Sequence, residues 1–108
     1  MDQIAYKIMS TAEFAQMQRD GAFHGSPVDL RDGYIHLSTK AQLAETLAKH
    51  FSGMTDLAIL EVDLSKVADP VRWEPSRGGQ LFPHIYGLLP IDAVQAVSPA
   101  ATPLDQAH

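Results

Sequence analysis

The stretch Leu57-Ala58-Ile59-Leu60-Glu61-Val62-Asp63-Leu64 decides how the rest of the chain is read. It holds no glycine or proline, is almost continuously apolar in its first half, and is too short for a typical helix. Such a run predicts a strand near the centre of a sheet. Upstream of it, Leu43, Leu47 and Phe51 recur every four residues with Ala44 and Ala48 beside them. That spacing predicts a helix turning an apolar stripe toward the core, opened by Ser38 or Thr39 and closed by Ser52-Gly53. Thr39 with Gln42 fits a capping box. A strand following a helix, with other strands further out, predicts an α+β domain.

Toward the N-terminus, Tyr34-Ile35-His36-Leu37 reads as a strand with His36 and Tyr34 on one face and Ile35 and Leu37 on the other. Asp32-Gly33 before it reads as a turn, and His24-Gly25-Ser26-Pro27 as a loop. Ile4 to Met9 predicts a first strand. Ser10 with Glu13 forms a capping-box pattern for a helix whose face carries Phe14 and Met17, and Asp20-Gly21 stops it. Toward the C-terminus, Val71-Arg72-Trp73 predicts a short strand and Ser76-Arg77-Gly78-Gly79 an irregular loop. Phe82, His84 and Tyr86 alternate along another strand, and Ala93 to Val97 supplies the last. The expected organisation is one domain over residues 1–98, with 99–108 a frayed Ala- and Pro-rich tail.

Composition narrows the function. The 108 residues carry 8 basic and 13 acidic side chains, a net charge of −5. A sequence-independent grip on nucleic acid normally needs a basic excess, so bulk DNA or RNA binding is not expected. The absence of cysteine removes thiol nucleophiles, disulfides and thiolate metal sites. No His-x3-His spacing occurs among His24, His36, His50 and His84, so no metal is expected either. No apolar run reaches membrane-spanning length and the N-terminus lacks a signal-peptide pattern, so the expected location is the cytoplasm. Gly-x-Ser-x-Gly, P-loop and Gly-x-Gly-x-x-Gly patterns are all missing.

Three segments carry candidate chemistry. His36 precedes the hydroxyls of Ser38 and Thr39 and the amine of Lys40, at the expected start of a helix where backbone N–H groups attract anions. The plainer alternative is that Thr39 is only a cap and His36 a satisfied strand histidine. The second segment, Trp73-Glu74-Pro75-Ser76-Arg77-Gly78-Gly79, gathers an indole for stacking, a carboxylate for proton transfer, a hydroxyl and a guanidinium fork for phosphate. Gly79 would let backbone approach a ligand. Against this stands a surface turn in which Glu74 pairs with Arg77 and Trp73 anchors the loop. In the third segment, His84 and Tyr86 share an aromatic strand face, either toward a cavity or in local hydrogen bonds.

With Asp32-Gly33-Tyr34-Ile35-His36-Leu37-Ser38-Thr39, His50-Phe51, the Trp73–Gly79 segment and Leu81-Phe82-Pro83-His84-Ile85-Tyr86-Gly87 quoted, the chain resembles the bacterial domain of unknown function 952 family from Ile4 to Val97. The family has no established activity to carry over. The resemblance implies an ADP-ribosyltransferase-like fold, a split, bent mixed sheet with two main helices, shared with RNA 2′-phosphotransferases. It implies NAD as a cofactor or substrate, with His36 and Ser38 or Thr39 holding a ribose or nicotinamide portion. Glu74 stands where a late catalytic glutamate is expected, though Pro75 after it departs from that pattern, and Arg77 matches a phosphotransferase arginine. Two functions follow as expectations. One is an ADP-ribosyl- or phosphoryl-transferase-like enzyme with His36, Glu74 and His84 as its catalytic groups. The other is a non-catalytic module for a small anionic metabolite or a protein partner.

Overall fold

A computed structural model describes residues 3–100, apart from the side chain of Arg77. The run that opened the reading is strand β4 (Leu57–Asp63), and it is central. It pairs antiparallel with β1 (Ile4–Ser10) on one side and β8 (Val94–Ala100) on the other. Its burial alternates, however. Ala58, Leu60 and Val62 are buried while Ile59, Glu61 and Asp63 stay half open, so one face of this sheet meets the core and the other meets solvent.

A second three-stranded sheet has the order β3 (Ile35–His36), β6 (Leu81–Ile85), β5 (Val71–Pro75), again antiparallel. Phe82, Pro83, His84 and Ile85 of β6 are all buried, as a strand covered on both faces requires. A short pair, β2 (Ala22–Phe23) with β7 (Leu89–Pro90), lies beside them. The two larger sheets are stitched by a bridge at Tyr6 and Ser38, with both backbone bonds made, at 2.8 and 2.9 Å. The strands thus form two three-stranded sheets joined at one bridge. The expectation of a mixed sheet is corrected, because every described pairing is antiparallel. Between the sheets lies one apolar core that includes Met9, Met17, Leu60, Ile85 and Leu89.

Helix α1 (Thr11–Asp20) forms as its cap predicts: Ser10 Oγ accepts from Glu13 N, and Glu13 Oε1 accepts from Ser10 N. Three expectations fail. The His24-to-Pro27 loop ends in a short helix, α2 (Pro27–Asp32), so the described residues hold three α-helices, α1 and α3 with this one between them. Pro27 sits at the first helical turn, where its missing N–H costs nothing. Helix α3 (Leu43–His50) starts later than Ser38 or Thr39, and none of its residues is buried. The Thr39–Gln42 box does form, at 3.0 and 3.2 Å, but it closes a turn ahead of the helix. Leu43, Leu47 and Phe51 are half-buried only, so the stripe rests on the side of the molecule instead of filling its centre. Finally, Ser98 to Ala100 continue β8 rather than fray. Residues 101–108 lie outside the described part.

Candidate active site at the split between the sheets

The register of β3 on β6 places His36 directly opposite His84. Their rings lie 5.3 Å apart, edge to face. Both belong to the wall of a hollow of about 670 Å³ between the two sheets and helices α2 and α3. That volume lies within the roughly 300–1,000 Å³ usual for small-molecule sites.

Each imidazole is held through Nδ1 by a carboxylate. Asp29 Oδ1 is 2.6 Å from His36 Nδ1, and Glu74 Oε1 is 2.7 Å from His84 Nδ1. A carboxylate on one ring nitrogen fixes the orientation and tautomer of the other. At His84 this leaves Nε2 as the remaining ring nitrogen. At His36 the second nitrogen, Nε2, lies 3.0 Å from Asp32 Oδ2, so satisfying both contacts requires a proton on each nitrogen. The two rings thus sit in different hydrogen-bonding environments.

Glu74 also accepts from the Tyr86 hydroxyl at 2.8 and 3.0 Å, while Arg72 lies 5.0 Å over the Tyr86 ring. The bonds from His84, then Tyr86, hold the Glu74 carboxyl below its ordinary range. Burial pulls the His84 imidazolium down, with Glu74 pulling the other way, and the neutral ring is favoured. Tyr34 stacks on His84 at 4.1 Å and leans on His36 at 4.7 Å. It fixes the space between the two dyads.

Beneath His36 lies a network centred on Asp29, 1% exposed. Its carboxylate accepts from Lys7 Nζ at 2.9 Å, from Ser26 N at 2.9 Å, from His36 N at 3.1 Å and from the His36 ring. Lys7 Nζ also donates to His36 O at 2.9 Å. Burial alone would raise the Asp29 carboxyl, but the His36 bond, the Lys7 charge and the Ser26 amide hold it well below the usual carboxylate range. For Lys7 burial outweighs Asp29, and its ammonium is pulled below the ordinary value. Four donors on one carboxylate argue for the ionised pair, and we adopt it.

The other expected residues sort as follows. Ser38 and Ser76 are in the wall of the hollow, and Ser38 Oγ lies 2.9 Å from Thr46 Oγ1. Thr39 has its hydroxyl on Gln42 N, which is the plain capping role. Trp73 packs against the buried apolar cluster, so stacking on a base is not the role its placement gives it; the wall instead has Tyr6, Phe51 and Phe82. Tyr86 acts on Glu74 from behind the dyad. Glu74 bonds His84 and Tyr86 among the described side chains, and the side chain of Arg77 lies outside them. Gly79 has φ +77° and closes the β5–β6 turn through its N–H to Ser76 O at 2.9 Å, so its reason for being glycine is the turn. The anion site expected at a helix start after His36 is not formed there. Helix α3 begins at Leu43, and the helix end that meets His36 is the C-terminal residue Asp32 of α2.

Lys7, Asp29, Asp32 and Tyr34 complete the site without having been singled out. One signal for Asp29 was present: Ser26-Pro27-Val28-Asp29 is a capping-box pattern with proline at the first helical position.

The match to known proteins names a family and no reaction. Residues 8–97 match the family described as Protein of unknown function (DUF952), and the chain belongs to that family. The crystal structure of protein CC0527 from Caulobacter crescentus superposes with a TM-score of 0.85 at 43% identity, covering 89% of this chain and 84% of that one. The solution NMR structure of the same protein gives 0.80 at 41% identity, over 93% and 86%. No curated protein matches the chain.

Proposed function

We propose that this protein binds a phosphorylated, nucleotide-like ligand such as NAD⁺ or ADP-ribose at the split between its sheets. In this reading the fold is ADP-ribosyltransferase-like, His36 and Ser38 orient the ribose, and the Glu74–His84 dyad supplies a proton acceptor. One observation carries it: two cross-strand imidazoles, each anchored by a carboxylate, in the wall of a single hollow of about 670 Å³. Buried ionisable groups cost stability, and their convergence on a cavity is the usual mark of a functional site. The split sheet and the hydroxyl two residues after His36 support the fold likeness, which alone carries no function.

The test is thermal denaturation with ADP-ribose, NAD⁺, AMP and inorganic phosphate. Ligand at ten times its Kd stabilises by about 1.4 kcal/mol, or roughly 6–11 °C for a domain of this size. The expected result is such a rise with ADP-ribose in wild type, lost in His36→Ala and Arg77→Ala. No rise with any of the four ligands in a well-folded protein rejects the reading. A rise without consumption of NAD⁺ rejects NAD⁺ as a substrate and leaves binding alone.

A further inference from the structure

We propose that His84 and His36 form a base–acid pair that cleaves a ribose phosphodiester by attack of the neighbouring 2′-hydroxyl. This goes beyond the ligand reading above, whose NAD⁺ and ADP-ribose carry no 3′-phosphodiester, and shares with it only a ribose- and phosphate-bearing ligand in the same hollow. The geometry distinguishes the two rings. His84 donates through Nδ1 to Glu74 at 2.7 Å and keeps Nε2 as an acceptor. His36 faces Asp29 through Nδ1 and Asp32 through Nε2, so it is arranged as a donor at both nitrogens. Two imidazoles held in opposite hydrogen-bonding roles suit a base and an acid.

Exposure orders the two along the hollow. The His84 side chain is 4% exposed and the His36 side chain 32%, so the base is deep and the acid lies nearer solvent. The partners of His36 also differ. Asp29 is buried and held by four donors, whereas Asp32 is 31% exposed and shared with Arg31 Nε at 3.1 Å. A substrate oxygen can therefore displace Asp32 from Nε2 while Asp29 keeps the ring in place. Asp29 and Glu74 are positioning residues; the two imidazoles are the catalytic ones.

The protein need not supply the attacking group. It has no cysteine, and Ser38 Oγ is engaged with Thr46 Oγ1. A nucleotide-like ligand brings a hydroxyl with it. In the step, the 2′-oxygen forms a bond to the adjacent phosphorus as its proton passes to His84 Nε2. The bond from phosphorus to the 5′-oxygen of the leaving nucleoside breaks as His36 Nε2 gives that oxygen a proton. The products are a 2′,3′-cyclic phosphate and a nucleoside with a free 5′-hydroxyl. Proton exchange with water restores both rings, and the balance needs no co-reactant.

The probe is the dinucleoside phosphate UpA, followed by chromatography and ³¹P NMR. Wild type should release adenosine and 2′,3′-cyclic UMP. His84→Gln and His36→Gln should each lose on the order of 100-fold or more in rate, the usual contribution of one acid–base group. Absence of cleavage by wild type overturns the proposal even where ADP-ribose still raises the melting point, a result that leaves the binding reading intact. Equal cleavage by wild type and both variants overturns it too. If the variants fail to fold, ¹⁵N imidazole spectra of wild type decide. Protonation of His84 at Nδ1, with its Nε2 unprotonated, is expected. His84 protonated at Nε2 alone overturns the assignment of the base. In Glu74→Gln, the Nδ1 preference at His84 should weaken while the His36 signals stay in place.

Discussion

Replacing Asp29 with asparagine keeps the shape of the side chain and removes its charge. Lys7 is 5% exposed and its ammonium has two acceptors, Asp29 Oδ2 and His36 O, each at 2.9 Å. Asp29→Asn therefore strands a buried cation without its counter-charge. Breaking a buried pair in this way costs about 3–5 kcal/mol, because the remaining charge is desolvated without compensation. At roughly 4–8 °C per kcal/mol for a domain of this size, the melting temperature should fall by at least about 12 °C. The same reasoning makes Lys7→Met less damaging once Asp29→Asn is in place than it is in wild type. The double variant should be more stable than the summed single effects predict, by about 1.5 kcal/mol or more, measured by urea unfolding with a common slope. A single-variant loss below about 1 kcal/mol, or strict additivity of the two changes, would refute the claim that a buried ionised pair holds α2, β1 and β3 together.

Other consequences are simpler to measure. Ser10→Ala removes the side-chain half of the α1 cap and should cost about 1 kcal/mol in urea unfolding, with Ser10→Thr close to wild type. Gly87 has φ +154°, and a Cβ there would collide with the Asp69 carboxylate that accepts from Leu88 N at 2.7 Å. Gly87→Ala should therefore destabilise by about 1–3 kcal/mol, and relief by a further Asp69→Ala change would locate the clash. Stability should also fall with acid in two stages. His84 has a folded pKa below its unfolded value of about 6.5, so its contribution is present above that pH and is lost as the pH falls through the folded value. Asp29 is depressed likewise, so its share is present above about pH 4 and disappears only below the ordinary carboxylate range. Urea midpoints from about pH 8 to about pH 3 should show the upper stage in wild type and lack it in His84→Gln.

The parts of the fold that follow from local chemistry were readable in the chain. The cap at Ser10 and Glu13, the stop at Gly21 and the central position of β4 depend on neighbours in sequence or on the apolarity of one run. Helix α2 was hidden because Gly25 and Pro27 read as loop residues, although proline is well placed at a helix start. The stripe of α3 was real but misjudged in depth. Periodicity reports which face is apolar, not how much of it another element covers.

The site divides in the same way. His36 and His84 stand out as polar residues on otherwise apolar or aromatic strands, and Glu74 as a carboxylate beside the lone tryptophan. Lys7 and Asp29 did not, because their meaning comes from a pairing across 22 positions that no local pattern encodes. Tyr34 gained its place only when the register of β3 on β6 brought His84 beneath its ring. Trp73 shows the converse. A lone tryptophan in a polar segment suggested a ligand platform, and the pleat of β5 turns it toward the core.

The most direct measurement is an ADP-ribose titration followed by the imidazole C2–H signals of His36, His84 and His24. His24 borders a separate, smaller depression and serves as the control. The account predicts saturable shifts at His36 and His84 with one common Kd and no matching change at His24. Unmoved signals at His36 and His84, or an equal response at all three observed rings, would contradict it.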